Sequence, residues 1–254
     1  MSAVFNHNEN VPRPVVAIGH DYPPSHELDE HHHLRGQFLY AARGVVAVST
    51  PHGAWTAPTE RGVWIPAGVP HSVRMVGEVS TRSVLIQPGL LPPAFEDRCR
   101  VVGVSLLLRS LLLAAADVPP EYDLEGRDGL AMALLVAELA LAPLIPLSAP
   151  FPKTPELAAR CHAFMERPNA HDTIDDWSDR LGMGRRAFTR AFRRETGMSF
   201  AEWRQQACLL SALPRLAGGE PVTAIALDLG YDSPAAFATM FKRLSGIAPS
   251  RYQP

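Results

Sequence analysis

Two stretches of this chain repeat one pattern, and the pattern leaves few folds open. From Thr173 to Gly184, and again from Val222 to Ser233, a short segment of helical character runs into a Leu-Gly turn. Each is followed by a pair of aromatics four residues apart, Phe188 and Phe192 in the first and Phe237 and Phe241 in the second. Each then closes on a glycine five residues later, Gly197 or Gly246. Aromatics at that spacing share a helix face, and a glycine-bearing turn lets two short helices meet at a steep angle. A repeat of such a unit predicts two helix-turn-helix motifs on one chain.

The first repeat carries the charge. Residues 185 to 194 hold five arginines and no acid. On a helix, Arg185, Arg186, Thr189, Arg190 and Arg193 lie opposite Phe188 and Phe192, giving one face for a core and one for an anion. From Lys153 onward there are 14 Lys and Arg against 11 Asp and Glu, whereas residues 1–152 carry 10 against 15. That split assigns a polyanionic partner to the C-terminal part. Helices are expected there over 155–167, 173–180, 184–195, 200–213, 221–228 and 233–244, with a short one at the end.

These residues resemble the AraC/XylS-type transcription regulators, through RRAFTRAFRRETGMSFAEWRQQ, AIALDLGYDSPAAF and FKRLSGIAPSRYQ. The resemblance covers about the last hundred residues. It implies two helix-turn-helix subdomains joined by a long helix, from Phe200 to about Leu216, that sets two recognition helices into adjacent major-groove segments of a double-stranded DNA operator. On this resemblance Arg186, Thr189 and Arg190 fall at base-contacting positions. Arg185, Arg193, Arg194, Ser233, Thr239 and Lys242 are expected on the DNA backbone. The second recognition helix presents Pro234, Ala235, Ala238 and Thr239, which offer few hydrogen bonds to a base edge. Three departures stand out: Pro214, expected to end or kink the connecting helix; Cys208, where the family commonly has Arg; and Gly184, where it has Ser.

Upstream, residues 15–87 read as short apolar stretches separated by Gly, Pro and small polar residues, which predicts a small antiparallel β-barrel or sandwich. His31 and His33, two apart on a strand, would share a face with Gln37, and His71 would arrive from a second strand. Three imidazoles and one carboxamide oxygen suit a first-row transition metal. The segments resemble the two cupin motifs, His-x-His-x3-Glu and Pro-x-Gly-x2-His, with Gln37 in place of Glu and Met75 in place of Asn. The resemblance implies a cupin-like sensor barrel holding a divalent metal (Ni, Zn, Cu or Fe) on His31, His33, Gln37 and His71, or a small-molecule effector. Phe38, Tyr40, Trp55 and Trp64 are the candidate effector pocket, and equally serve as barrel core. His26, His32 and His52 are expected at the surface, with His26 a substitute ligand. A metal-dependent cupin enzyme, an oxygenase or isomerase, is the competing reading. No acid/base pair accompanies the histidines, and a duplicated operator reader favours the regulator.

The fold class expected is therefore α+β: a tail (1–14), a cupin-like barrel (15–100), a helical segment (101–142), a linker (143–155) and an all-α DNA-binding domain (156–254). The helical segment holds two apolar helices, 104–116 and 127–142, that must be covered on most sides, either by the barrel within one protomer or by a second copy of the chain, and a homodimer contact is the preferred expectation. The linker is read from five prolines between Ala142 and Pro155. Cys99, Cys161 and Cys208 are too scattered for a disulfide framework and read as buried thiols in a reducing compartment. The chain opens without a basic region and apolar core, and its apolar stretches are broken by Arg109, Glu138 and prolines, so a cytoplasmic protein with no membrane span is expected.

Overall fold

The computed structural model describes residues 10–58 and 60–252, so residues 1–9 of the expected tail lie outside it. The chain forms two compact units, Met1–Thr50 with Trp55–Pro146, and Pro51–Ala54 with Leu147–Pro254.

The first unit is built from strands β1 (Val15–Tyr22), β2 (Glu27–His31), β3 (Gly36–Thr50), most of β4 (Gly53–Ala57, whose first two residues fall in the second unit), β5 (Arg61–Ile65), β6 (His71–Ile86), β7 (Arg100–Gly103) and β8 (Leu144–Ile145). Hydrogen bonding runs β1-β6-β3-β5-β7-β8, with β2 added to β6 and β4 to β3. This path has two ends, so the closed barrel expected from the sequence is instead an open sheet among the described residues. The long strands explain the difference. β3 and β6 pair along most of their length but slip register between Ala41 and Val45. Gly44 sits at that slip with φ +79°, and a Cβ there would meet the Glu78 carbonyl oxygen at 2.6 Å. The glycine permits a sharp bend, so one half of β6 pairs with β1 and the other with β2. The sheet folds over itself by bending two strands rather than by joining its edges.

Helices α1 (Leu106–Ala115) and α2 (Arg127–Leu141) cover the outer face of the sheet. Leu108, Leu112, Met132, Leu135 and Leu139 share a core with Val15, Phe38, Tyr40, Trp64, Val84 and Ile86. Arg35, itself buried, donates to the carbonyls of Val11 and Arg13, and thereby fixes the described end of the tail. β8 lies inside the segment expected as linker, and β9 (Ser148–Pro150) follows in the second unit. Proline-rich backbone is already extended, which suits it to short edge strands.

The second unit is helical after β9: α3 (Pro155–Glu166), α4 (Ile174–Arg180), α5 (Arg185–Thr196), α6 (Phe200–Ala217), α7 (Val222–Asp228) and α8 (Pro234–Ser245). Capping boxes at Thr173/Asp176 and Ser199/Glu202 start α4 and α6. α6 is buried on most of its sides and runs through Pro214 to Ala217, so the proline neither ends the helix nor separates its last turn. Trp177, Phe188, Phe192, Phe200 and Trp203 form one aromatic core, with Trp177 and Phe200 centroids 4.7 Å apart. Phe237 and Phe241 anchor a second, smaller cluster with Tyr231 and Tyr252. All three cysteines are buried, and desolvation pushes the Cys99 and Cys208 thiols up to about 12, the inert state expected.

Candidate functional site

The helical unit repeats itself with an offset of 49 residues, Phe188 matching Phe237 and Phe192 matching Phe241. The match extends to atoms that the sequence pattern had not singled out. Thr196 donates its hydroxyl to the Phe192 carbonyl and accepts the Met198 N–H. Ser245, 49 residues on, does the same with Phe241 and Ile247. Both helices end on a left-handed glycine, Gly197 at φ 75° and Gly246 at φ 86°. α5 and α8 are thus one piece of geometry used twice, each reached through a glycine turn, Gly182 at φ +61° and Gly230 at φ +74°.

Their outward faces differ. Arg186, Thr189, Arg190 and Arg193 are all exposed on α5, and Arg186 and Arg190 have no ion-pair partner among the described residues. The matching positions on α8 hold Ala235, Ala238, Thr239 and Lys242. Two of the arginines expected on phosphate are engaged otherwise. Arg185 pairs with Asp175 of α4, and Arg194 pairs with Glu195 at 2.8 Å. Glu195 in turn accepts the N–H and hydroxyl of Thr154 at the start of α3. Nothing in the linear spacing marks Asp175, ten residues upstream, as the partner of Arg185. Thr189 and Thr239 each turn the hydroxyl back onto a carbonyl of their own helix, at 2.9 Å in both cases. Ser233 caps α8, accepting the Ala236 N–H, whereas Gly184 leaves α5 without a side-chain cap.

In the sheet unit His31, His33 and His71 come together. One ligating nitrogen from each lies within 4.8 Å of the others. Antiparallel pairing puts His31 directly opposite His71, with ring centroids 4.3 Å apart. His33 does not share the strand as expected, because β2 ends at His31; the bend beyond it swings the His33 ring to 5.1 Å from His31. His71 Nδ1 lies 2.9 Å from the Val69 carbonyl, and that contact puts the proton on Nδ1 and turns the Nε2 lone pair inward. Nε2 is buried with no hydrogen-bond partner among the described residues. Burial, helped by the neighbouring imidazoles, lowers the His71 pKa to about 3, so the ring is neutral, as a metal ligand must be. Gln37 and His31 line one small cavity of about 10 Å³ with Thr81, Ser83 and Met75. The Gln37 Oε1 is also buried and unpartnered there. His32 and His52 are exposed, and His26 stacks on Tyr22 at 5.0 Å.

The candidate effector aromatics do not join this cavity. Side chains alternate along β3, so with Gln37 and Leu39 facing the histidines, Phe38 and Tyr40 face the helices, where Trp64 joins them. Trp55 on β4 is buried and belongs to neither set. These rings are core, apart from Trp64, which also walls a separate cleft of about 240 Å³ at the end of the sheet.

Comparison with known proteins finds two families along the chain. A helix-turn-helix domain family matches residues 177–254, and the AraC-like ligand binding domain family matches residues 13–167. The HTH-type transcriptional regulator NimR of Escherichia coli is 31% identical over 222 residues, spanning 87% of this chain and 81% of that protein. The HTH-type transcriptional regulator RipA of Corynebacterium glutamicum is 26% identical over 105 residues, 41% of this chain and 31% of that protein. Among solved structures, ToxT from Vibrio cholerae is 10% identical, with 94% of this chain and 96% of that one covered at a TM-score of 0.40.

Proposed function

This chain belongs to the AraC family of transcription regulators, with an N-terminal ligand-binding domain and a DNA-binding helix-turn-helix domain, and from that premise we propose that it is a metal-responsive regulator reading its operator mainly through α5. Both helix pairs act as helix-turn-helix units, with α5 and α8 as recognition helices. Arg186, Arg190 and Thr189 meet base edges. Arg193, Lys242, Ser233 and Thr239 contact the backbone, while Arg185 and Arg194 reach phosphate only by leaving their acids.

The observation that carries the sensor reading is the histidine cluster, with one ligating nitrogen of each ring within 4.8 Å of the others. A cavity of about 10 Å³, the room for one water, adjoins it at His31 and Gln37. His31, His33 and His71 would hold the ion, with Gln37 beside them. A set of neutral donors, nitrogen-rich and without a carboxylate, favours Ni, Zn, Cu or Fe over Mg or Ca. When bound, the ion supplies positive charge and a fixed geometry linking β2, the bend at His33 and β6. No carboxylate lines the cavity among the described residues; His20 and Tyr22 are the titratable side chains beside His31 there. No helix is long and apolar enough to cross a membrane, among the described residues.

The proposal includes a homodimer through the outer faces of α1 and α2. Leu130, Leu134 and Leu141 form an exposed stripe on α2, and Leu106 and Leu107 are exposed on α1. Leu106 and Leu141 are 84% and 83% accessible, an arrangement a lone subunit gains nothing from. The deciding experiment is elemental analysis of untagged protein together with footprinting at its own promoter region. About one metal per chain is expected, lost in His71→Ala together with the response of the footprint to metal. A metal content near zero in wild type and variant alike overturns the sensor reading and leaves the DNA reading standing.

A further inference from the structure

The larger cleft in the sheet unit lies away from the histidines, and no assignment above uses it. Its wall includes the Trp64 indole, whose six-membered ring packs by its Cη2–Cζ2 edge against the Gly36 backbone; a Cβ at Gly36 would come within 2.3 Å of the ring. The indole is fixed there because its N–H donates to the Phe95 carbonyl and its ring meets Phe95 edge-on, at 5.8 Å and 77°. Leu91 and Ile86 complete an apolar wall. At the mouth stands Glu96, whose Oε1 accepts the Gly89 N–H at 3.1 Å and is held in place by it. Glu96 is the one ionisable side chain among the described residues that line the cleft.

We propose that this cleft is a binding site for a small organic cation, an arylalkyl amine whose flat apolar body stacks on Trp64 and whose ammonium meets the Glu96 carboxylate. The size of the cleft fixes the size of the ligand. About 240 Å³ lies just under the usual range for small-molecule sites and takes a body of roughly ten heavy atoms. The chemistry fixes its charge. A carboxylate with one oxygen engaged by a backbone N–H keeps the other for a charge-assisted bond, and an indole face attracts the same cation. An anionic ligand of equal shape meets the carboxylate and no cation. The Trp64 ring also belongs to the core beneath α1 and α2, beside Leu108 and Leu139, so this wall of the cleft and the packing of these helices are one structure. The site needs no metal, and it stands or falls separately from the histidine reading.

The test is calorimetric titration of the full chain with 2-phenylethylamine, with phenylacetate as the probe of opposite charge. Saturable binding of the amine at one per chain is expected, with no binding of phenylacetate. Glu96→Gln keeps the acceptor for Gly89 and should weaken the amine at least tenfold. Ala67→Trp, at an exposed turn on the cleft wall, should fill the space and abolish binding while thermal unfolding and metal content stay as in wild type. Absence of saturable binding by the amine overturns the proposal, as does equal binding of phenylacetate. Binding that survives Ala67→Trp places the ligand elsewhere, and binding indifferent to Glu96→Gln removes the cation from the assignment; either result overturns it as well.

Discussion

Asp175→Asn should tighten DNA binding and make it more sensitive to salt. In the free protein Asp175 pairs with Arg185 at the head of α5, and the two side chains are 59% and 60% exposed. A pair that open to solvent contributes little, about 0.2–1 kcal/mol, so the loss to folding is small. Its effect on DNA is larger. On the proposed reading the carboxylate neutralises an arginine at the head of the helix that would enter the groove, and it would set a negative charge near the phosphates. With asparagine in its place Arg185 becomes available to one phosphate. Each phosphate neutralised steepens log K against log salt by about 0.9, so affinity should fall about 3-fold further between about 50 and 200 mM salt than in wild type. Fluorescence anisotropy on a duplex containing the footprinted site, repeated across that range, reads both slope and affinity. Arg185→Ala alone should leave the slope nearly unchanged, and the double variant should return to it. A slope in Asp175→Asn equal to or shallower than wild type refutes the reasoning. So does a fall of about 0.9 in Arg185→Ala alone, which would mean that Arg185 abandons Asp175 for phosphate in the complex.

Neighbouring leucines on α2 should behave oppositely. Leu135 is fully buried against the sheet, and Leu135→Ala should cost about 2–5 kcal/mol in urea unfolding. Leu134→Glu, on the exposed stripe, should leave unfolding almost unchanged while shifting sedimentation from dimer to monomer. Gly230→Ala forces a left-handed backbone and sets a Cβ 2.3 Å from the Asn169 Oδ1, so thermal unfolding should reveal a loss of at least about 1–2 kcal/mol. An unchanged midpoint in that variant would mean that the turn before α8 relaxes freely.

Much of the helical unit was legible in the sequence because its periods are strong. Aromatics four apart, glycines at a fixed distance behind them and arginines between leave one arrangement, and α4 to α8 fall within a few residues of the expected segments. The run of α6 through Pro214 was not legible, since whether a proline breaks a helix depends on burial and on how few turns remain. The sheet unit was readable as β but not as an open sheet. Closure depends on where two long strands bend, and Gly44 is one glycine among several in the text. Convergence of His31, His33 and His71 was expected, but for a partly wrong reason, because a bend and not the strand repeat brings His33 in. The candidate effector aromatics carried two readings in the sequence, pocket and core, and strand alternation separates them from the histidines: Gln37 and Phe38 are adjacent on a strand, so they face opposite sides, with Phe38, Tyr40 and Trp64 in the core.

The offset of 49 residues makes α5 and α8 comparable position by position, and if both are recognition helices, as proposed, the comparison predicts where sequence information is read. Arg186 and Arg190 of α5 stand where α8 has Ala235 and Thr239. The Thr239 hydroxyl already donates to the Ala235 carbonyl and the Thr189 hydroxyl to the Arg185 carbonyl, so Thr189 can meet a base edge only as an acceptor or through its methyl, and the donors left free on the proposed reading are the two arginines. An arginine forked onto a guanine is worth roughly 1–3 kcal/mol, or about 5- to 150-fold in affinity. Arg186→Ala and Arg190→Ala should each lose a factor in that range on the operator and almost none on unrelated duplex. Thr239→Ala should lose less than about 3-fold on both, consistent with a packing or backbone role. In a footprint, the base pairs that tolerate no substitution should then cluster under α5, with the α8 segment protected but permissive. Gel-shift titrations giving equal losses for Arg190→Ala and Thr239→Ala would mean that the shared skeleton, and not the side chains placed on it, sets the specificity.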